Sequence, residues 1–142
     1  MPRYAHTGLT CRNLAATEQF YTKHFGFRRA RVLDLGEGRQ VVFLKNENTY
    51  LELFQGDGHD PAGVPANDGH GFPGFRHLAF EVENVDAFAK TLGPDLKVNL
   101  GPLRFDSFIP GWAAVWVRDP DDRVVEICQS YCDEPNPPPF TG

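Results

Sequence analysis

Four side chains able to bind a divalent cation recur at matched places along this chain: His6, Glu52, His77 and Glu126. Each histidine lies near the start of a strand-like run and each glutamate inside an apolar one, with about seventy residues separating the members of a like pair. The flanks agree, Tyr50-Leu51-Glu52-Leu53-Phe54-Gln55 standing against Val124-Val125-Glu126-Ile127-Cys128-Gln129. Upstream, Val41-Val42-Phe43-Leu44 stands against Val115-Trp116-Val117-Arg118. A carboxylate in so apolar a strand is costly to bury alone, so each glutamate needs a partner. Two imidazole nitrogens and two carboxylate oxygens suit one borderline divalent ion: Ni²⁺, Zn²⁺, Co²⁺, Fe²⁺ or Mn²⁺. Such a set leaves positions open for water or substrate oxygens, and a carboxylate that can leave the metal is able to shuttle a proton.

The elements that must position these residues follow from hydrophobic periodicity. Alternation predicts a strand over residues 4–11, with His6, Gly8 and Thr10 on one face. Asn13 is placed to cap a helix whose apolar face is Leu14, Thr17, Phe20, Tyr21 and Phe25, and Gly26 stands where a helix ends. Strand-like runs follow over 27–35, 40–45 and 49–54, separated by turn residues. The same order starts again at Phe75: a strand over 75–82 with His77, Ala79 and Glu81 on one face, then a helix over 85–92 capped by Asn84. Runs around 103–109, 113–118 and 123–128 complete it. The fold class expected is therefore α+β, a tandem of two βαβββ modules over 1–55 and 75–130.

Residues 56–74, rich in Gly, Asp, Pro and Asn, read as a connecting loop, and a loop that long in a compact domain is often functional. It is expected to close over the substrate. By themselves its His59 and His70 read as solvated loop histidines. Residues 131–142, with four prolines, read as an extended arm.

Composition limits the partners. A net charge of -5 and a pI near 5.4 argue against a nucleic-acid surface, which needs clustered cations. The densest basic group, Arg28, Arg29 and Arg31, reads as a solvated strand edge. No apolar run approaches the ~20 residues of a membrane span, and Pro2 and Arg3 lead straight into a strand pattern rather than a signal peptide. A cytoplasmic protein without membrane partners is expected. Cys11, Cys128 and Cys132 lack metal-finger spacing and read as reduced thiols. Twelve phenylalanines favour half-buried sheet surfaces.

The motif set His6-Thr7, Phe20-Tyr21-Thr22-Lys23 with Phe25-Gly26-Phe27, Tyr50-Leu51-Glu52-Leu53, Arg76-His77-Leu78-Ala79-Phe80, Arg118-Asp119-Pro120-Asp121 and Val125-Glu126-Ile127 resembles the vicinal oxygen chelate superfamily. That group includes glyoxalase I, methylmalonyl-CoA epimerase, extradiol dioxygenases and bleomycin-resistance proteins. The resemblance implies curved mixed sheets forming a cup around one metal, within a chain in some members and across a dimer in others; a homodimer is expected here. It also implies that His6, Glu52, His77 and Glu126 are the ligands. Their order resembles that of glyoxalase I, a lactoylglutathione lyase, and implies isomerisation or lysis of a small substrate with vicinal oxygens through an enediolate-type intermediate. Glu126 would be the base and Glu52 its pseudosymmetric counterpart. Thr10, Glu81, Arg104, Phe105, Phe108, Trp112 and Cys128 are the expected substrate-binding residues.

Two departures bear on the substrate. Glyoxalase I has an arginine where this chain has Thr10 and an asparagine where it has Gly56, both helping to hold glutathione. The epimerase has glutamine in place of Glu52, and the dioxygenases use a His, His, Glu triad. The reading from a different class is a non-catalytic, bleomycin-resistance-like protein that binds an aromatic ligand.

Overall fold

The computed structural model describes residues 1–94 and 96–142. Strand β1 (Thr7–Cys11) leads into helix α1 (Leu14–Phe25), followed by β2 (Arg28–Gly36), β3 (Arg39–Asn46) and β4 (Thr49–Gln55). The second half repeats the order with β5 (Leu78–Glu81), α2 (Val85–Thr91), β6 (Val98–Arg104), β7 (Ala113–Arg118) and β8 (Val124–Gln129). Each half makes one four-stranded sheet, ordered β1-β4-β3-β2 and β5-β8-β7-β6. The first and last strands of each half pair in parallel and the rest antiparallel, so the crossover through each helix closes a βαβββ module.

Local chemistry explains the boundaries. Asn13 and Asn84 accept from the backbone N–H three residues on, at 3.0 and 2.8 Å, which starts each helix. Gly26, at φ +67°, ends α1 in the left-handed conformation. Both histidines precede the strands expected to carry them: ladder pairing begins at Thr7↔Leu51 and at Leu78↔Val125, so His6 and His77 are the residues just before it. The run expected over 103–109 lies earlier in the chain. β6 pairs Val98 and Leu100 with Val117 and Trp116, and the chain from Phe105 to Trp112 is a compact turn. Asp106 closes that turn by accepting from Gly111 N at 3.0 Å.

One core serves both modules. Phe20, Tyr21 and Phe25 of α1, Leu51 and Leu53 of β4, Val115 and Val117 of β7, and Val125 and Ile127 of β8 belong to one buried cluster. The modules are also joined by a buried carboxylate. Asp119 accepts from Tyr21 Oη at 2.8 Å and Arg123 Nη1 at 2.9 Å through one oxygen, and from the backbone N–H of Asp121 and Arg123 through the other. With every lone-pair direction used, a charge that would be costly to bury alone becomes a fixed contact between α1 and the β7–β8 turn.

The strand period of two decides what faces away from this core. Glu52 alternates with buried Leu51 and Leu53, and Glu126 with buried Val125 and Ile127, so both glutamates project from the sheet face opposite the helices.

Candidate metal centre

The outer face of the first sheet sets Gly8 beside Glu52 and Glu52 beside Phe43. His6 folds over this row: its Nε2 lies 2.8 Å from Glu52 Oε2 and its ring meets Phe43 edge-on at 5.9 Å. The second sheet sets Ala79 beside Glu126 and Glu126 beside Trp116. His77 Nε2 lies 2.9 Å from Glu126 Oε2. Each module thus builds one His–Glu pair in the same way. The register also corrects the repeat: Phe43 is equivalent to Trp116, one residue off the match of Val41-Val42-Phe43-Leu44 with Val115-Trp116-Val117-Arg118.

The two pairs do not meet within a chain. Among the described residues no group of three or more His, Cys, Asp or Glu side chains lies close enough to hold a metal ion. The reason is geometric, since each pair sits on the face opposite the shared core.

The chemistry of the second pair fits a cation. His77 Nδ1 lies 2.6 Å from the Asp68 peptide oxygen, which can only accept, so Nδ1 carries a proton. In a neutral ring Nε2 then turns its lone pair towards the Glu126 carboxylate, an arrangement that a positive charge between them relieves. Trp116 Nε1 donates to Glu126 Oε2 at 2.9 Å, the oxygen that also faces His77. Neither the Asp68 carbonyl nor Trp116 stood out in the sequence. A ring N–H donor one strand away from a glutamate shows only once the register is known.

The expected substrate-binding residues divide. Glu81 and Cys128 pair in register two residues beyond Ala79 and Glu126, on the same outer face. Burial first, then the Glu126 and Glu81 charges, push the Cys128 thiol up to about 11. Phe105 packs against Trp112 at 5.1 Å and edge-on to Trp116 at 6.4 Å, which joins both aromatics to the tryptophan beside Glu126. Phe108 is largely exposed on the turn. Arg104 lies apart from these: it pairs with Ala113, which faces the core, and its guanidinium is bound to Asp86 of α2, on the helix side of the sheet.

Thr10 lies on the outer face of β1, beside Phe54. A cleft of about 820 Å³ runs from this face under the connecting loop to the β7–β8 turn, lined in part by Gly8, Thr10, Val64, Phe72 and Phe75. Arg12 borders it with one bond from each guanidinium nitrogen: Nε to Asp121, Nη1 to His59 Nδ1 and Nη2 to the Pro120 carbonyl. The loop histidines are therefore not simply solvated. His59 accepts from Arg12 at 3.0 Å, and His70 stacks on Phe72 at 4.6 Å with its Nε2 buried.

Comparison with known proteins agrees with the architecture. The family model of the Glyoxalase/Bleomycin resistance protein/Dioxygenase superfamily matches residues 3–127. The chain is 26% identical over 130 residues to the glyoxalase domain-containing protein RDO1 of Mycosarcoma maydis, covering 90% of this chain and 68% of that protein. A glyoxalase family protein from Enterococcus faecalis superposes with a TM-score of 0.63 at 29% identity, over 89% of this chain and 96% of that one. A mutant of the fosfomycin resistance protein FosX from Listeria monocytogenes, in complex with Mn(II) and 1S,2S-dihydroxypropylphosphonic acid, superposes with a TM-score of 0.64 at 15% identity. That match covers 89% of each chain.

Proposed function

Because the chain belongs to the glyoxalase/bleomycin resistance protein/dioxygenase superfamily, we propose that it is a metal-dependent enzyme of the glyoxalase I type whose centre is shared between two copies. The observation that carries this is the matched construction of His6–Glu52 and His77–Glu126, at 2.8 and 2.9 Å, on outward faces of two equivalent sheets. A second copy related by a twofold axis would set the first-module face of one chain against the second-module face of the other. Two equivalent centres follow, each with two histidines and two glutamates. The outer faces have the character of a contact: Leu33, Phe54 and Leu103 are exposed on them or at their edges.

The substrate is a small molecule with oxygens on adjacent carbons. When bound, a divalent cation supplies Lewis-acid stabilisation of negative charge on those oxygens. The protein's part is to hold the substrate between the two faces, exclude water with the aromatic group of Phe105, Trp112 and Trp116, and move a proton through a glutamate carboxylate. Glutathione is not the handle. The positions that anchor it in glyoxalase I are Thr10 and Gly56, and each guanidinium nitrogen of the nearby Arg12 already has a partner within the protein.

Mixing two variants tests the shared centre. His6→Ala and His77→Ala each break both centres of their own homodimer. A heterodimer of the two concentrates both lesions in one centre and leaves the other intact. Co-refolding at equal amounts should restore about a quarter of the wild-type Zn²⁺ sites. No restoration would place the centre within a chain. A wild-type protein that takes up no divalent ion would leave the non-catalytic binding reading standing instead.

A further inference from the structure

The two His–Glu pairs share a plan but not their support. In the second module the connecting loop is clasped onto His77. Arg76 holds the Asp68 carboxylate through two bonds, Nε at 3.2 Å and Nη2 at 2.8 Å, and donates to the His70 carbonyl at 2.9 Å. Between them Gly69, at φ +134°, lets the loop fold tightly; a Cβ there would stand 2.4 Å from the Arg76 carbonyl oxygen. Asn99 ties the same loop to the second sheet, donating to the Asn67 carbonyl at 2.6 Å and accepting from Arg118 at 2.7 Å. The product of this clasp is the 2.6 Å contact from His77 Nδ1 to the Asp68 carbonyl. On the other side of the pair, Trp116 fixes Glu126.

The first module has neither device. His6 keeps 41% of its side-chain surface exposed, against 21% for His77. Its neighbour Phe43, standing where Trp116 stands, has no N–H to offer Glu52. Among the described residues His6 is the side chain seen to hold Glu52.

We propose that the Arg76–Asp68 clasp and Trp116 are positioning residues that make His77 and Glu126 the fixed half of the centre, leaving Glu52 as the carboxylate that moves and carries the proton. This rests on the metal-dependent reading and reverses the roles that likeness to glyoxalase I implies, where Glu126 is the base. The step balances as an isomerisation: Glu52 takes the proton from the hydroxyl-bearing substrate carbon and returns it to the adjacent carbonyl carbon, the hydroxyl proton passes to the former carbonyl oxygen, and no external oxidant or reductant is needed. The physical ground is that a ligand held by a hydrogen bond from its surroundings, as His77 is at Nδ1 and Glu126 at the oxygen that faces His77, keeps its orientation, whereas one without such a bond can swing off at little cost.

Two measurements test it. The first needs no metal: long-range ¹⁵N–¹H spectra of the imidazoles in the apo protein at mildly alkaline pH. His77 should be held in the Nδ1–H form and His6 averaged between tautomers, and Arg76→Ala should bring His77 to the averaged state. A His77 in the Nε2–H form, or one unmoved by Arg76→Ala, overturns the clasp.

The second is Co²⁺ titration followed by its visible absorption. Trp116→Phe and Arg76→Ala should each weaken Co²⁺ binding by about 10- to 100-fold, with Phe43→Leu near wild type. Glu126→Gln should weaken it at least about tenfold more than Glu52→Gln. Equal losses at Phe43 and Trp116, or at the two glutamates, overturn the asymmetry. Arg76 is a half-exposed surface residue, so its variant carries the test if Trp116→Phe does not fold. A wild-type chain that takes up no Co²⁺ overturns the proposed function and Glu52's role together, while the imidazole spectrum still decides the clasp.

Discussion

Thr10 and Gly56 exclude one another's side chains: a Cβ built on Gly56 stands 2.3 Å from Thr10 Cγ2. The glycine cannot retreat cheaply, because its N–H donates to the Cys11 carbonyl at 2.9 Å, continuing the β1–β4 ladder. Threonine, stiff at χ1, has little room to turn aside. The two departures from the glyoxalase I pattern are therefore one coupled change. Gly56→Ala should cost about 1–3 kcal/mol in urea unfolding, as overpacking does. In a Thr10→Ser background, which lacks Cγ2, the same change should cost less than half as much. A double-mutant cycle showing strict additivity would disprove the coupling.

Under the proposed function the same pair bears on substrate choice. Without the arginine and asparagine of glyoxalase I at these positions, the protein should turn over the methylglyoxal–glutathione adduct with Ni²⁺ or Zn²⁺ no faster than the metal alone in buffer. Measurable turnover in a spectrophotometric assay would show that another residue anchors the glutathione carboxylates.

Tyr21 and Asp119 give the fold a pH dependence. Burial first, then the adjacent Asp119 charge, push the Tyr21 hydroxyl well above its usual value of 10.0. A group whose pKa is raised by folding stabilises fully below its unfolded value and loses that stabilisation as pH rises through the folded one. The Tyr21 contribution to the urea midpoint should hold from pH 8 to about 10 and be lost above it, beyond the fall that the raised Cys11 and Cys128 thiols begin near pH 9. Tyr21→Phe should remove this part of the fall while costing about 1.5–3 kcal/mol at neutral pH, the usual worth of a hydrogen bond to a charged acceptor. An unchanged alkaline slope in Tyr21→Phe would assign it to other groups.

Much of this architecture was legible because local signals and the repeat agree. Asn13 and Asn84 marked both helices, and alternation around Glu52 and Glu126 put both on one kind of face. Strand β6 was misplaced because its apolar residues are few and interrupted by Gly101 and Pro102, whereas the aromatic turn after it imitates a strand. The two histidines and two glutamates were legible as candidates, but their separation into two pairs was not. Sequence gives the face of a strand, not which faces of different sheets look at one another. The direction of Arg104 was hidden for a related reason: it follows from the pairing with Ala113.

Arg104 offers a clean negative control. Its ion pair with Asp86 is about half exposed at both ends and lies on the side of the sheet away from Glu126. Arg104→Ala should leave Zn²⁺ affinity and stoichiometry unchanged and shift stability by no more than about 1 kcal/mol, as for a surface ion pair. A clear loss of Zn²⁺ binding would mean that the arginine reaches the centre after all.

Metal removal should act on assembly as well as on the site. If each centre draws one His–Glu pair from each copy, binding and association are linked: an ion that binds only the dimer must tighten it. At 100 times the Kd of the site, each bound ion adds about 2.7 kcal/mol, or about 100-fold in the dimer dissociation constant. Sedimentation over a concentration series should therefore show more monomer in EDTA than in Zn²⁺. His6→Ala should look like the EDTA sample whether or not Zn²⁺ is added, because both centres of its dimer lack one ligand. A dimer constant identical in EDTA and in saturating Zn²⁺ would break the link between assembly and metal, and the shared centre would have to be given up even if the protein binds the ion.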